Sequence, residues 1–290
     1  MFMRPHFLLT GALSVGSLAS MGCSISATPD GPDAAESTAS TATAVVVVER
    51  TTGPGDAVRA DAVIARFVRV HQGTVDDQAL RIAGAAWDLP AVGTCSAGSP
   101  AIPAALQPRS VDLLDVGVLT LGDRDVPAST KNTVLLPRTM FDPTGGVSGV
   151  FYSARSTESF TPSSRLQLHT SGGPDLPEGF LVNVASPREV SDVRVTATSS
   201  SLDVAWDADG ADDARDLVYV DVTSPSARLV ARCTTVDSGH MTVPATSLGT
   251  LEEGQLSVHR LHRESFRTKG IEPGEIRFDV ARVIAFHRAL

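Results

Sequence analysis

Three stretches of this 290-residue chain hold residue types that could do chemistry. Asp207, Asp209, Asp212 and Asp213 crowd around Gly210, and hard carboxylate oxygens around a glycine are what a calcium loop offers. The D-x-D-x-D-G order and the distal bidentate glutamate of an EF-hand are both missing. Asp and Gly also populate tight turns for backbone reasons, so the stretch reads as a solvated turn, with calcium as the alternative. Asp237-Ser238-Gly239-His240 brings together the three residue types of a hydrolytic triad. Immediate neighbours in a turn cannot adopt the mutual geometry a triad needs, so this too reads as a turn. His259 and His262 lie three apart; on a strand that spacing points them to opposite faces, where no metal can be shared. They read as exposed strand histidines. Gly146-Val147-Ser148-Gly149 lacks the closing glycine of a nucleophile elbow. No catalytic residue, bound metal or cofactor is expected.

Two further candidates are Cys95 and Cys233. In an oxidising compartment they could pair, and closing so long a loop would add about 4 kcal/mol on the chain-entropy model. Cys233 also alternates with Leu229 and Ala231 at strand period, which suits a buried free thiol equally well. Both readings stay open. Neither cysteine has a second cysteine or histidine at zinc-ligand spacing.

The elements that must carry these residues are strands. With 42% hydrophobic residues the chain can build a core, and with 5% aromatics that core must be mainly Val, Leu, Ile and Ala. The expected class is all-β, an antiparallel β-sandwich architecture with two β-rich units behind a disordered tether. The first unit is expected over residues 44–187, with strands near 44–50, 58–70, 80–86, 111–121, 133–136, 149–153, 165–169 and 180–185. A helical turn is expected at 101–106. Pro187 marks the boundary, and seven or so short strands over 188–290 match an immunoglobulin or fibronectin type III-like sandwich. Its centre is Leu202–Val222, read as a hairpin: Leu202, Val204 and Trp206 share one face, and Val218, Val220 and Val222 repeat the pattern.

Net charge is −9, with 33 acidic against 24 basic residues, which argues against a nucleic-acid partner. Only Lys131 and Lys269 among the cations are lysines, a bias that GC-rich coding explains without assigning the arginines a function.

Residues 1–22 read as a signal peptide, with Arg4 ahead of an apolar run from Phe7 to Leu18 that is too short to span a bilayer. The following Ser20-Met21-Gly22-Cys23 resembles the lipobox of bacterial lipoproteins, although Ser20 replaces the usual Leu and Met21 the usual small residue. The resemblance implies that Cys23 is acylated, by palmitate-type chains, and anchors the protein in a membrane. An ordinary cleaved signal is the alternative. Similarity to outer-membrane lipoproteins implies, from Ser24, sorting to the outer membrane; without lipidation the protein would be periplasmic or secreted. Residues 23–43 are mostly Ala, Ser, Thr, Pro, Gly and Asp with little apolar content, and are expected to form a disordered tether.

Gly172-Gly173-Pro174-Asp175-Leu176-Pro177-Glu178-Gly179-Phe180, the later LDVAWDADG run, and Cys233 followed by DSGHMTVPATSLGTL carry one more resemblance. Over about residues 110–265 the chain resembles a group of secreted lipoproteins of Gram-negative bacteria to which no reaction is assigned. That implies an envelope protein bearing a sandwich. The function expected is a non-catalytic binding or structural module of the cell envelope with a protein or glycan partner. The alternative is a secreted hydrolase, or a calcium-dependent carbohydrate binder, whose site is built from scattered loop residues.

Overall fold

In the computed structural model of the chain, the described residues are 42–53, 58–71, 73–98, 110–123, 133–141, 146–156, 165–209 and 216–288. All belong to one compact unit running from Ser40 to Leu290. The signal, Cys23, the tether up to Thr41 and the helical turn at 101–106 lie outside them. The elements begin with β1 (Ala42–Thr52), β2 (Val58–Val70), the helix α1 (Asp77–Ile82), β3 (Thr94–Ala97) and β4 (Val111–Leu113). Next come β5 (Leu119–Asp123), β6 (Thr133–Phe141), β7 (Val147–Ser156), β8 (Arg165–Thr170) and β9 (Phe180–Ala185). After Pro187 follow β10 (Arg194–Ala197), β11 (Ser201–Ala205), β12 (Asp216–Thr223), β13 (Leu229–Val236) and β14 (His240–Pro244). The helix α2 (Ala245–Leu248) and two long strands, β15 (Glu253–Thr268) and β16 (Ile271–His287), complete the chain. The protein is all-β.

Among the described residues thirteen strands form one sheet in the order β3-β13-β12-β15-β16-β1-β2-β4-β7-β6-β5-β8-β9, and β10-β11-β14 form a second. The pairing is not antiparallel throughout: β1 runs parallel to β16, and β4 parallel to β7. β1 begins at Ala42, inside the expected tether, because Ala42 is already paired to Ile271.

The large sheet folds over on itself at β6. Residues 133–135 of that strand pair with β5, whereas Leu136 onward pairs with β7. Leu119, Leu135, Leu168 and Phe180 are thereby laid against Val46, Phe67, Ile276 and Phe278 in a first core. A second core lies between the two sheets, where Leu202, Val204 and Trp206 face Val218, Val220, Val222 and Val258. β15 and β16 serve both: Leu256, Val258 and Phe286 enter the second core, Phe266, Ile276 and Phe278 the first. The expected boundary at Pro187 falls where the chain leaves β9 for the small sheet, and the spans on either side of it share these two strands.

Three local expectations are overturned. Leu202–Val222 is not a hairpin: β11 pairs with β10 and β14, while β12 pairs with β13 and β15. The period-two faces are as read, but they meet across the core, where burial rewards apolar contact between sheets as well as within one. Leu80–Ala86 is not a strand. Asp76 caps α1 by accepting from the Ala79 amide at 2.9 Å, and Gly84, at φ +67°, follows its end. The helix lays Ala79 against Val45 and Val68, so it covers the outer face of the large sheet. The expected strand 111–121 is likewise split into β4 and β5. Gly117 between them has φ +81°, and a Cβ there would stand 2.1 Å from the Gly172 carbonyl oxygen.

Candidate functional site

The outer face of the large sheet, away from both main cores, is where polar groups converge. Along the β12–β15 ladder three of the opposed pairs that share this face are Leu217 with Leu261, Tyr219 with His259, and Asp221 with Ser257. Successive pairs on one face are about 7 Å apart along a strand, so these three form a stripe from an apolar end to a polar one.

His259 is the centre of the polar end. Its Nδ1 lies 2.8 Å from Asp279 Oδ1 on β16, and its Nε2 lies 2.9 Å from Ser257 Oγ. The Tyr219 hydroxyl donates to the other Asp279 oxygen at 2.5 Å, and the Tyr219 ring stacks on the imidazole with centroids 4.2 Å apart. A carboxylate only accepts, so Nδ1 carries a hydrogen and Nε2 is left to face the serine. Arg232 on β13 lies 4.9 Å over the Tyr219 ring and clasps Asp221 through two bonds of 2.7 and 2.6 Å. Glu49 on β1 is close enough to Asp279 and His259 to interact with both charges.

These neighbours set the proton affinities. Burial by itself would pull the His259 pKa down, but the charge and hydrogen bond of Asp279, with Asp221 behind it, outweigh burial and raise it. The Tyr219 phenol is pushed well up, first by burial and then by the Asp279 charge, so it stays a donor. His259 was expected to be exposed; its side chain is 16% exposed, because Tyr219 and its neighbours cover it.

At the apolar end, the segment from α1 to β3 arches over Leu217 and Leu261 and leaves a groove of about 350 Å³. Trp87 reaches into it and meets Tyr219 edge-on at 6.3 Å. Arg277 also lines it, but is fully engaged, with Glu275 and with the Ala85 carbonyl oxygen at 2.7 Å. Arg263, opposite Arg277 in the ladder, makes no ion pair among the described residues. Thr234 in the groove wall is fully buried, and its hydroxyl has no hydrogen-bond partner among them either.

Cys95 and Cys233 are joined by a disulfide and are direct partners across β3 and β13. Asp207 and Asp209 both face Arg188, at 3.6 and 3.5 Å, while Asp212 and Asp213 lie outside the described residues. Among the described residues no group of three or more His, Cys, Asp or Glu could hold a metal ion. Asp237 does sit in a turn, yet its carboxylate is 1% exposed and accepts from Trp206 Nε1 at 2.6 Å. His262 does face away from His259, but it is not exposed either. It is held between Asp216 and Glu264, with its ring 6.1 Å from Phe278. Sequence reading missed Ser257, Tyr219, Asp279 and Trp87. The i, i+2 spacing of Ser257 and His259 was the available signal; Asp279 comes from another strand, and only the β15–β16 register reveals it.

Comparison with models of known protein families finds no match, and neither does comparison with curated protein sequences.

Proposed function

We propose that this chain is an envelope lipoprotein, anchored through Cys23, whose folded body is a binding module with its ligand site in the groove under Trp87. The C-terminal part, two facing sheets around Trp206, we liken to the sandwiches of immunoglobulin and fibronectin type III modules. The observation that carries the reading is the groove itself. Its wall combines the aromatic face of Trp87 with the guanidinium of Arg263, which makes no ion pair among the described residues. Trp87 suits the face of a sugar ring or another flat apolar surface, and Arg263 suits a carboxylate. An acidic glycan of the envelope has both features.

The anchoring is tested by Cys23→Ser, which is expected to move the protein from the membrane fraction to the soluble one; a variant that still fractionates with membranes refutes it. The site is tested by calorimetric titration with short oligo-uronates. Binding is expected for the parent chain and is expected to be lost in Trp87→Ala and weakened at least tenfold in Arg263→Ala, a change of about 1.4 kcal/mol. Equal binding by all three proteins removes the groove from the account.

A further inference from the structure

The polar end of the stripe holds an arrangement that the groove reading does not use. Ser257 Oγ, His259 Nε2, His259 Nδ1 and Asp279 Oδ1 follow one another at 2.9 and 2.8 Å. A hydroxyl bonded to an imidazole that is itself oriented by a carboxylate is the arrangement that activates serine nucleophiles. The orientation is held from two further sides. Tyr219 donates to the second Asp279 oxygen and stacks flat on the imidazole, so the ring has a fixed plane and a fixed tilt. Ser257 is itself half-buried, neither sealed in the core nor fully exposed, so a small reagent can reach it. The nearby charge of Asp221, which would oppose a developing oxyanion, is taken up by Arg232.

We propose that Ser257 is a nucleophile that accepts acyl groups from carboxylic esters, with His259 as its base and Asp279 as the group that positions the base. The Ser257 oxygen bonds to the ester carbonyl carbon while its proton passes to His259 Nε2. The tetrahedral adduct then breaks its bond to the alcohol oxygen, which leaves with the proton from His259. Water, activated in turn by His259, releases the carboxylic acid and restores Ser257. β15 is paired on both sides, to β12 and to β16, so the Ser257 amide belongs to the ladder and is not free to bind an oxyanion. Each missing oxyanion donor costs about 10²–10³ in rate. The reaction therefore favours activated esters, and the acyl group stays on the serine long enough to be detected. Ser257, His259 and Asp279 lie outside the groove lining, so occupancy of the groove leaves their arrangement untouched.

The test uses the full chain, incubated with p-nitrophenyl acetate between about pH 5 and pH 9, the range in which an imidazole changes charge. Nitrophenolate release and the peptide that acquires an acetyl group are both measured. The expected result is one acetyl group on Ser257, acquired faster as pH rises and His259 becomes neutral. Ser257→Ala is expected to abolish the label, and His259→Gln to slow it about 100-fold, the usual worth of a general base. Asp279→Asn is expected to move the pH profile towards lower pH, which a purely structural role would leave in place. No acetyl group on Ser257 at any pH, or equal labelling in His259→Gln, overturns the proposal. Should His259→Gln fail to fold, a labelling rate of the parent chain that does not change with pH overturns it as well.

Discussion

Asp237 and Arg260 form an ion pair at 2.8 Å whose side chains are 1% and 2% exposed. Trp206 Nε1 donates to the same carboxylate, and three more guanidinium hydrogens go to the carbonyl oxygens of Arg188, Glu189 and Asp207. One buried pair therefore ties the entry to the small sheet, the exit from β11 and the centre of β15 to a single point. Every guanidinium nitrogen and both carboxylate oxygens have a hydrogen-bond partner, which is the condition under which burying the two charges is tolerable. Removing one partner strands the other. Asp237→Ala is expected to lower stability by about 3–5 kcal/mol, measured by urea unfolding. A loss no larger than that of an exposed aspartate would mean the pair does not hold the two sheets together.

The Cys95–Cys233 disulfide fastens the edge strand β3 to β13 across a sequence separation of 138 residues. On the chain-entropy model a loop of that length contributes about 4–5 kcal/mol. Replacing both cysteines by serine is expected to remove most of that in a denaturant titration. It should also weaken groove binding, since β3 closes the segment that arches over the groove. Unchanged binding in the double variant would show that α1 and Trp87 hold the groove without help from β3.

His259 supplies a pH dependence whose sign is determined by its neighbours. Its pKa is raised in the folded chain by Asp279 and Asp221, against burial and Arg232, so protonating it favours the fold. That contribution is complete below the unfolded value of about 6.5 and fades as pH rises through the higher folded value. The stability advantage of the parent over His259→Gln is thus expected to be greatest near pH 5.5 and smaller near about pH 9. Thermal melts of both proteins at the two pH values decide it; an advantage that grows with pH contradicts the assigned direction.

Gly149 interrupts the side chains of β7 with φ +125°, and a Cβ there would stand 1.9 Å from the Leu113 carbonyl oxygen. Gly149→Ala is expected to cost about 1–3 kcal/mol from backbone strain alone, and more because β4 must move off β7. Equilibrium unfolding measures the cost. A near-neutral substitution would mean that β4 is not held at this distance in solution.

Strand content was legible because alternation of apolar side chains is a local property. Leu202, Val204 and Trp206 share a face whatever they pack against, and the same holds for Val218, Val220 and Val222. α1 was missed because six residues are too few to establish a helical period, and its signal is one capping bond from Asp76. The histidines were misjudged for a related reason. Alternation correctly places His259 and His262 on opposite faces, but it carries no information about what covers each face.

The sequence alone determined the all-β class and the faces of most strands, since these follow from side-chain period. Tertiary structure decided which strands pair, that Leu202–Trp206 and Val218–Val222 face each other across a core, and that Asp279 meets His259. Those outcomes depend on register between segments distant in the chain. Each is selected by the free energy of burying whole faces together, which no short stretch of residues encodes by itself.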